Sequence, residues 1–347
     1  MERRRLGRTG HESSVAVLGG AACWAASVEE AGEWLQVALD RGVNHLDIAP
    51  QYGAAESVVG PHLAAHREEL FIAGKTLRAN PAGVTDQFDA TRRLLNADVL
   101  DLYQAHAVTT LAELDRRSPA LERILALRDA GQTRFAGITG HDMEVPRVHL
   151  EALRRFDLDT VMFPVYPALW SRPEYREPAE ELVALCAERD LGVMVIKAAA
   201  RRPWADGRPL ADAVASSAAT SGRWADSWYE PQDGDDALDR GIHFALSTPG
   251  VHAFCTPGDM QLLPRVLASA ERYRPLGQEG RRAAIEAMAP EELIFPMPRL
   301  GRCPAEPDAL LSRDRIRLTA ARTRQTRTRR RHAHRVAATR RCPGPTH

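Results

Sequence analysis

Lysine is almost absent from this sequence. Of its 46 basic residues only Lys75 and Lys197 are lysines, and the others are arginines. Arginine solvates a surface as well as lysine does, but it does not readily give up its proton or act as a compact, tunable point charge. Each lysine is therefore a candidate for work that arginine cannot do, although scarcity alone is equally compatible with chance. Long apolar runs are missing too. No stretch approaches about 18 uninterrupted apolar residues, so no membrane-spanning helix is expected. The opening MERRRLGRTG carries charge with no hydrophobic segment behind it, which argues against a secretory signal. The five cysteines (Cys23, Cys186, Cys255, Cys303 and Cys342) are widely spaced and match neither a disulfide framework nor the close-set pairs of a zinc or iron–sulfur site. A reducing, cytoplasmic location and no metal site are the resulting expectations. No Gly-x-Gly-x-x-Gly opens a helix, so the usual dinucleotide-binding fold has no support.

What is present is ample apolar material, 44% of the chain, enough for one large core. The formal net charge of zero hides an asymmetry. Residues 301–347 hold 13 arginines against three acids, Glu306, Asp308 and Asp314. With almost no apolar periodicity after Leu318, that stretch reads as a disordered tail beyond a single domain of residues 1–300. Its arginines can touch an acidic surface or nucleic acid without sequence preference, or have no partner at all. No specific nucleic-acid partner is expected.

The domain itself alternates between two periods. Short β-rich runs occupy residues 14–19, 43–48, 70–74, 99–104, 133–138, 159–163, 192–196 and 251–255. Helical spacing lies between them, at Glu30–Leu39, Phe88–Leu95, Ala120–Ala130, Val145–Phe156, Ala179–Arg189, Ala237–Leu246 and Leu262–Tyr273. Eight apolar strands separated by helices predict an α/β fold, a closed parallel (β/α)8 TIM barrel. The first residues form a small hairpin turning at Arg8-Thr9-Gly10, which would cap the barrel's bottom. One connection, residues 198–236, is unusually long and carries Trp204, Trp224, Trp228 and Tyr229. Those rings either wall a pocket on the catalytic face or pack on the barrel rim.

Polar groups gather where the apolar runs end, the place where a barrel's chemistry resides. Asp47 ends the second run and Tyr52 lies just beyond it. Lys75 closes the third, His106 follows the fourth, His141 the fifth, and Lys197 closes the seventh. A lone acid or histidine at such a place more often caps a helix. Four titratable types at three consecutive strand ends become spatial neighbours in a barrel. Positive charge from Lys75 would lower the tyrosine pKa, and Asp47 would hold the ammonium. His106 would orient an oxygen or relay a proton. Such a group suits protonation of an oxygen that becomes negative, in hydride addition to a carbonyl or in an enolisation, and the residues alone do not choose between them.

The segments LGRTG…VAVLGG, DIAPQYG, GKT and LYQAH, in that order, resemble the aldo-keto reductase family. The resemblance implies a barrel with an aspartate, tyrosine, lysine and histidine tetrad, here Asp47, Tyr52, Lys75 and His106. It also implies a nicotinamide cofactor, NADP more than NAD, a small-molecule carbonyl substrate, and Tyr52 as general acid. Cofactor contacts implied by position are Thr139, Lys197, Thr256, Gly258 and Arg265, the last with possible help from Arg201 or Arg202. The second half departs from the family's common pattern. Thr139-Gly140-His141 stands where Ser-Asn is frequent, no glutamine is apparent on the sixth strand, and VIKAAARR lacks the aromatic after the seventh. These departures mark a divergent branch. Thr256-Pro257-Gly258 resembles the family's phosphate-binding turn, followed by a helix N-terminus that favours an anion. Lys197 stands either as a cofactor contact or as an ordinary strand-end charge. Two other readings were open: a class I aldolase using Lys75 or Lys197 as a Schiff base, and a cofactor-binding subunit that regulates ion channels with little turnover.

Overall fold

Alternation along the strands decides what faces the inside of this molecule. The computed structural model describes residues 1–205, 224 and 227–295. The arginine-rich stretch, with the expected boundary at residue 300, lies outside the described residues. Strands β1 (Arg3–Arg5) and β2 (Glu12–Ser14) form an antiparallel hairpin. The barrel strands are β3 (Ala16–Gly19), β4 (His45–Asp47), β5 (Phe71–Thr76), β6 (Leu100–Ala105), β7 (Thr133–Thr139), β8 (Thr160–Pro164) and β9 (Gly192–Ile196). A small antiparallel pair, β10 (Ala200–Arg202) and β11 (Glu230–Pro231), follows before β12 (Ala253–Cys255). Strand β12 pairs in parallel with both β9 and β3, which closes the eight-stranded barrel. Each barrel strand falls on one of the eight apolar runs of the sequence.

Every second residue of a strand points inward. Val17, Phe71, Ala73, Leu102, Met162, Met194 and Ala253 make one buried cluster that fills the barrel. Leu6, from the hairpin, joins it and is fully buried, so the hairpin plugs the bottom as the sequence suggested. Gly7 makes this approach possible. Its φ is +50°, and a Cβ there would stand 2.4 Å from the Gly192 nitrogen. The same alternation sets Lys75 above Ala73 on β5 and opposite Gln104 on β6.

The helices form the outer ring: α1 (Val28–Asp40), α2 (Ala55–Leu63), α3 (Pro81–Leu95), α4 (Leu111–Asp129), α5 (Val145–Arg155), α6 (Pro167–Trp170), α7 (Pro173–Glu188), α8 (Asp235–Leu246), α9 (Leu263–Glu271) and α10 (Gln278–Met288). Helix α1 starts at a capping box, in which the Ser27 hydroxyl accepts from Glu30 N and Glu30 accepts from Ser27 N. Helices α4 and α7 begin earlier than their apolar spacing suggested, because Pro119 and Pro178 fall inside them. Proline removes a donor, yet buried Leu114 and Arg117 on one side of Pro119 and Leu121 and Ile124 on the other hold α4 continuous.

Candidate active site

Four side chains from three strand ends and one loop converge at the C-terminal mouth of the barrel. Strand pairing puts Asp47 level with Ala73, one inward step below Lys75. Lys75 Nζ donates to Asp47 Oδ2 in a short ion pair and to the Tyr52 hydroxyl at 3.1 Å. Both lysine and aspartate are almost fully buried, and Tyr52 and His106 nearly so. Gln104 Nε2 donates to Asp47 Oδ1 at 3.1 Å, so both carboxylate oxygens are held. The Tyr52 and His106 rings meet edge to face, with centroids 5.7 Å apart.

Burial and charge oppose each other here. Burial works against the Lys75 ammonium, but Asp47 and Tyr52 more than offset it and keep its pKa above the ordinary lysine value. The sequence suggested that Lys75 would leave Tyr52 more acidic than usual. Lys75 does pull in that direction, yet burial is the larger effect and pushes the tyrosine up to about 12. His106 is held well below its ordinary pKa by burial and by the neighbouring Lys75, so it is neutral. Its Nδ1 stands 3.2 Å from Gln51 Oε1. With the amide oxygen facing it, Nδ1 carries the proton; with the amide turned, Nε2 carries it and can donate into the cavity.

Backbone ties fix these positions. Arg117, fully buried on α4, donates Nη1 to the His106 carbonyl and Nη2 to the Thr76 carbonyl, the latter at 2.5 Å. Strand ends β5 and β6 are thereby held together. Thr139 Oγ1 accepts from Ala107 N at 3.1 Å, and Thr256 Oγ1 accepts from Gly19 N at 2.9 Å. Each hydroxyl therefore keeps its own proton for another acceptor.

One cavity brings together Asp47, Tyr52, Lys75, His106, Thr139, Lys197, Thr256 and Gly258. Of the residues singled out in the sequence, Arg265 is not in this wall. It pairs with Asp235 at 3.0 Å and lies over the Trp224 ring. Arg201 and Arg202 are likewise engaged, both with Glu230. The helical turn after Gly258 already has a carboxylate, because Asp259 caps it by accepting from Gln261 N. A negative cap there opposes the anion that the bare sequence suggested. The aromatic missing after β9 is supplied from the far end of the long connection, since Trp228 and Tyr229 line the cavity. Trp204 Nε1 bonds to the Ser227 carbonyl, and Trp224 is buried in the core, so these two rings pack rather than line. Gln51, Gln104 and Arg117 were not anticipated. No motif marks them, and only the pairing of β5 with β6 and the position of α4 bring them to the site.

The sequence profile of the aldo/keto reductase family matches residues 16–211, more than half of the chain. The chain belongs to the aldo/keto reductase family. A curated relative, aldo-keto reductase YhdN of Bacillus subtilis, is 28% identical over 163 residues, 42% of this chain and 48% of its own length. Methylglyoxal reductase YeaE of Escherichia coli is 32% identical over 112 residues, covering 31% of this chain and 38% of its own. The matched segments thus span about half or less of those relatives. Among solved structures, an aldo-keto reductase from Klebsiella pneumoniae in complex with NADPH superposes with a TM-score of 0.57. It is 20% identical and the match covers 84% of this chain and 96% of that one, a likeness of fold.

Proposed function

We propose that this aldo/keto reductase reduces the carbonyl of an aldehyde or ketone with a nicotinamide cofactor, NADPH in preference to NADH. The observation that carries this reading is the hydrogen bond from Lys75 to the Tyr52 hydroxyl, with Asp47 fixed behind the lysine. When bound, the cofactor supplies a hydride to the carbonyl carbon. Tyr52 gives its proton to the carbonyl oxygen as negative charge builds there. The resting tyrosine is protonated, but burial makes it a weak acid, so proton transfer depends on compensation of the tyrosinate it leaves. The tyrosinate left behind faces the Lys75 ammonium at hydrogen-bond distance, so charge separation is compensated within the group. Asp47 keeps Lys75 protonated and in place. For the same reason Lys75 is a poor Schiff-base nucleophile, which needs a neutral amine. Neutral His106, with the Gln51 amide turned, orients the substrate oxygen through Nε2.

The fit to a cofactor rests on the spare hydroxyl protons of Thr139 and Thr256 and on Gly258. The chain's own packing does not require a glycine at 258, because the nearest atoms to a Cβ there all belong to Ala21, the closest at an ordinary 3.4 Å. Its backbone faces the same cavity as both threonines. Thr139 would hold the carboxamide, and the Thr256 hydroxyl and Gly258 N–H would hold the phosphates by donated hydrogen bonds, the helical turn itself being capped by Asp259. Arg265 would meet a ribose phosphate by exchanging Asp235 for it. The similarity to methylglyoxal reductase and to an NADPH-bound structure supports carbonyl chemistry and this cofactor.

The test is aldehyde-dependent loss of the reduced nicotinamide's absorbance, in the wild type and in Tyr52→Phe. The reading predicts turnover by the wild type and a loss of at least about 100-fold in the variant, with NADPH binding retained. No consumption by the wild type, or equal rates in the two proteins, would overturn it.

A further inference from the structure

The second lysine has no carboxylate partner. Lys197 follows β9 at the wall of the same cavity, half-buried, with its ammonium 4.6 Å from the Trp228 ring centroid and 5.1 Å from that of Tyr229. Among the described residues its ammonium makes no ion pair and no hydrogen bond, and it lies against two ring faces. Asp47 pairs with Lys75 instead and also accepts from Gln104. The backbone at Lys197 is strained: its φ is +72°, the left-handed region that residues bearing a side chain rarely adopt. Strain of that kind persists only where its surroundings enforce it.

The other charges around the cavity are balanced or absent. Asp47 and Lys75 cancel. Tyr52 and Cys255 are both pushed up by burial and stay protonated. His106 and His141 are both lowered by burial and stay neutral, the latter to about 3. Lys197 is left as one uncompensated positive charge in a wall otherwise neutral. An ammonium left without counter-charge in such a wall favours an anionic group within its reach. Burial also lowers the Lys197 pKa to about 8, the sign of an ammonium short of counter-charge.

We infer that Lys197 anchors a carboxylate carried by the carbonyl substrate, so that the preferred substrates are oxo acids rather than neutral aldehydes or ketones. This rests on the proposed reductase reading. Trp228 and Tyr229 hold the ammonium against their rings, and Lys197 lines the same cavity as Tyr52. The same ammonium is also chemically able to meet a cofactor phosphate, and the experiment separates the two sources of anionic oxygen.

In two matched pairs a methyl ester removes the negative charge: glyoxylate with methyl glyoxylate, and 5-oxopentanoate with its methyl ester. Their kcat/KM values are measured with the wild type, Lys197→Met and Lys197→Arg. Binding of pentanoate, which has no reducible carbonyl, and of NADPH is followed by calorimetry. The expected result is a preference for the acid in at least one pair of about tenfold or more. Lys197→Met abolishes that preference and weakens pentanoate about tenfold more than NADPH, while Lys197→Arg retains it. Equal acid-to-ester ratios in wild type and Lys197→Met, or a loss of NADPH affinity larger than the loss of pentanoate affinity, would overturn the inference. If the wild type reduces no member of either pair, the reductase reading fails. Pentanoate binding then still decides the anion site, which stands if Lys197→Met loses it and falls if it does not.

Discussion

At Lys75 the cost of burial and the pull of a counter-charge are weighed directly. Asp47 wins and the ammonium stays charged beside Tyr52. A guanidinium is also a cation, but it is planar and larger, and its charge is spread over a fork of donors. In a fully buried position built for one ammonium it would displace either Asp47 or the tyrosine. Lys75→Arg is accordingly expected to fold normally and to lose most carbonyl reduction, with kcat/KM as the readout. Activity within about tenfold of the parent would contradict the role proposed for Lys75. These four residues were legible in the sequence because each sits in a short motif at a strand end. Gln51, Gln104 and Arg117 were not, since their partners lie 55, 57 and 11 positions away and become neighbours only when the barrel closes.

The elements were read best where one period dominates. Eight strands stood out as apolar runs, and α5 was placed within one residue of its observed end. Helix α2 was missed, because Gly60 and Pro61 interrupt its spacing. Gly60 is needed there, as a Cβ would fall 1.8 Å from the Leu94 carbonyl oxygen. The hairpin was anticipated from its turn residues, but not the aromatic stack beneath the barrel. His11 lies on Phe71, with centroids 4.4 Å apart, and His45 meets the same ring edge-on. Burial lowers the His11 pKa to about 4 and that of His45 well below its ordinary value. Both rings, His11 beside β2 and His45 on β4, must therefore be neutral in the folded protein, whereas the unfolded chain takes up protons near pH 6.5. Their contribution is complete above that pH and is lost as pH falls from about 6.5 toward 4. The expected result is a melting temperature that declines between pH 7 and pH 5, and declines less in His11→Phe, as read by thermal unfolding. A flat or rising profile over that interval would contradict this account.

For the molecule as a whole, fold and family were accessible from the sequence while the charge balance of the cavity was not. The barrel follows from periodicity, which is local. The balance depends on which groups lose water together, and that is set by closure of the barrel and by the return of Trp228 and Tyr229 over its mouth. Composition had singled out two lysines without separating them. One is neutralised by its own chain and the other is left for a ligand. Among the described residues no helix is long and apolar enough to cross a membrane. The central claim is that Tyr52 and Lys75 act as one proton-donating unit. Its most direct test is a double-mutant cycle in kcat/KM for aldehyde reduction, using Tyr52→Phe, Lys75→Arg and the combined variant. If the two residues form a unit, the combined variant stays within about threefold of Tyr52→Phe alone. Losses that multiply would contradict the claim and make the two residues independent contributors.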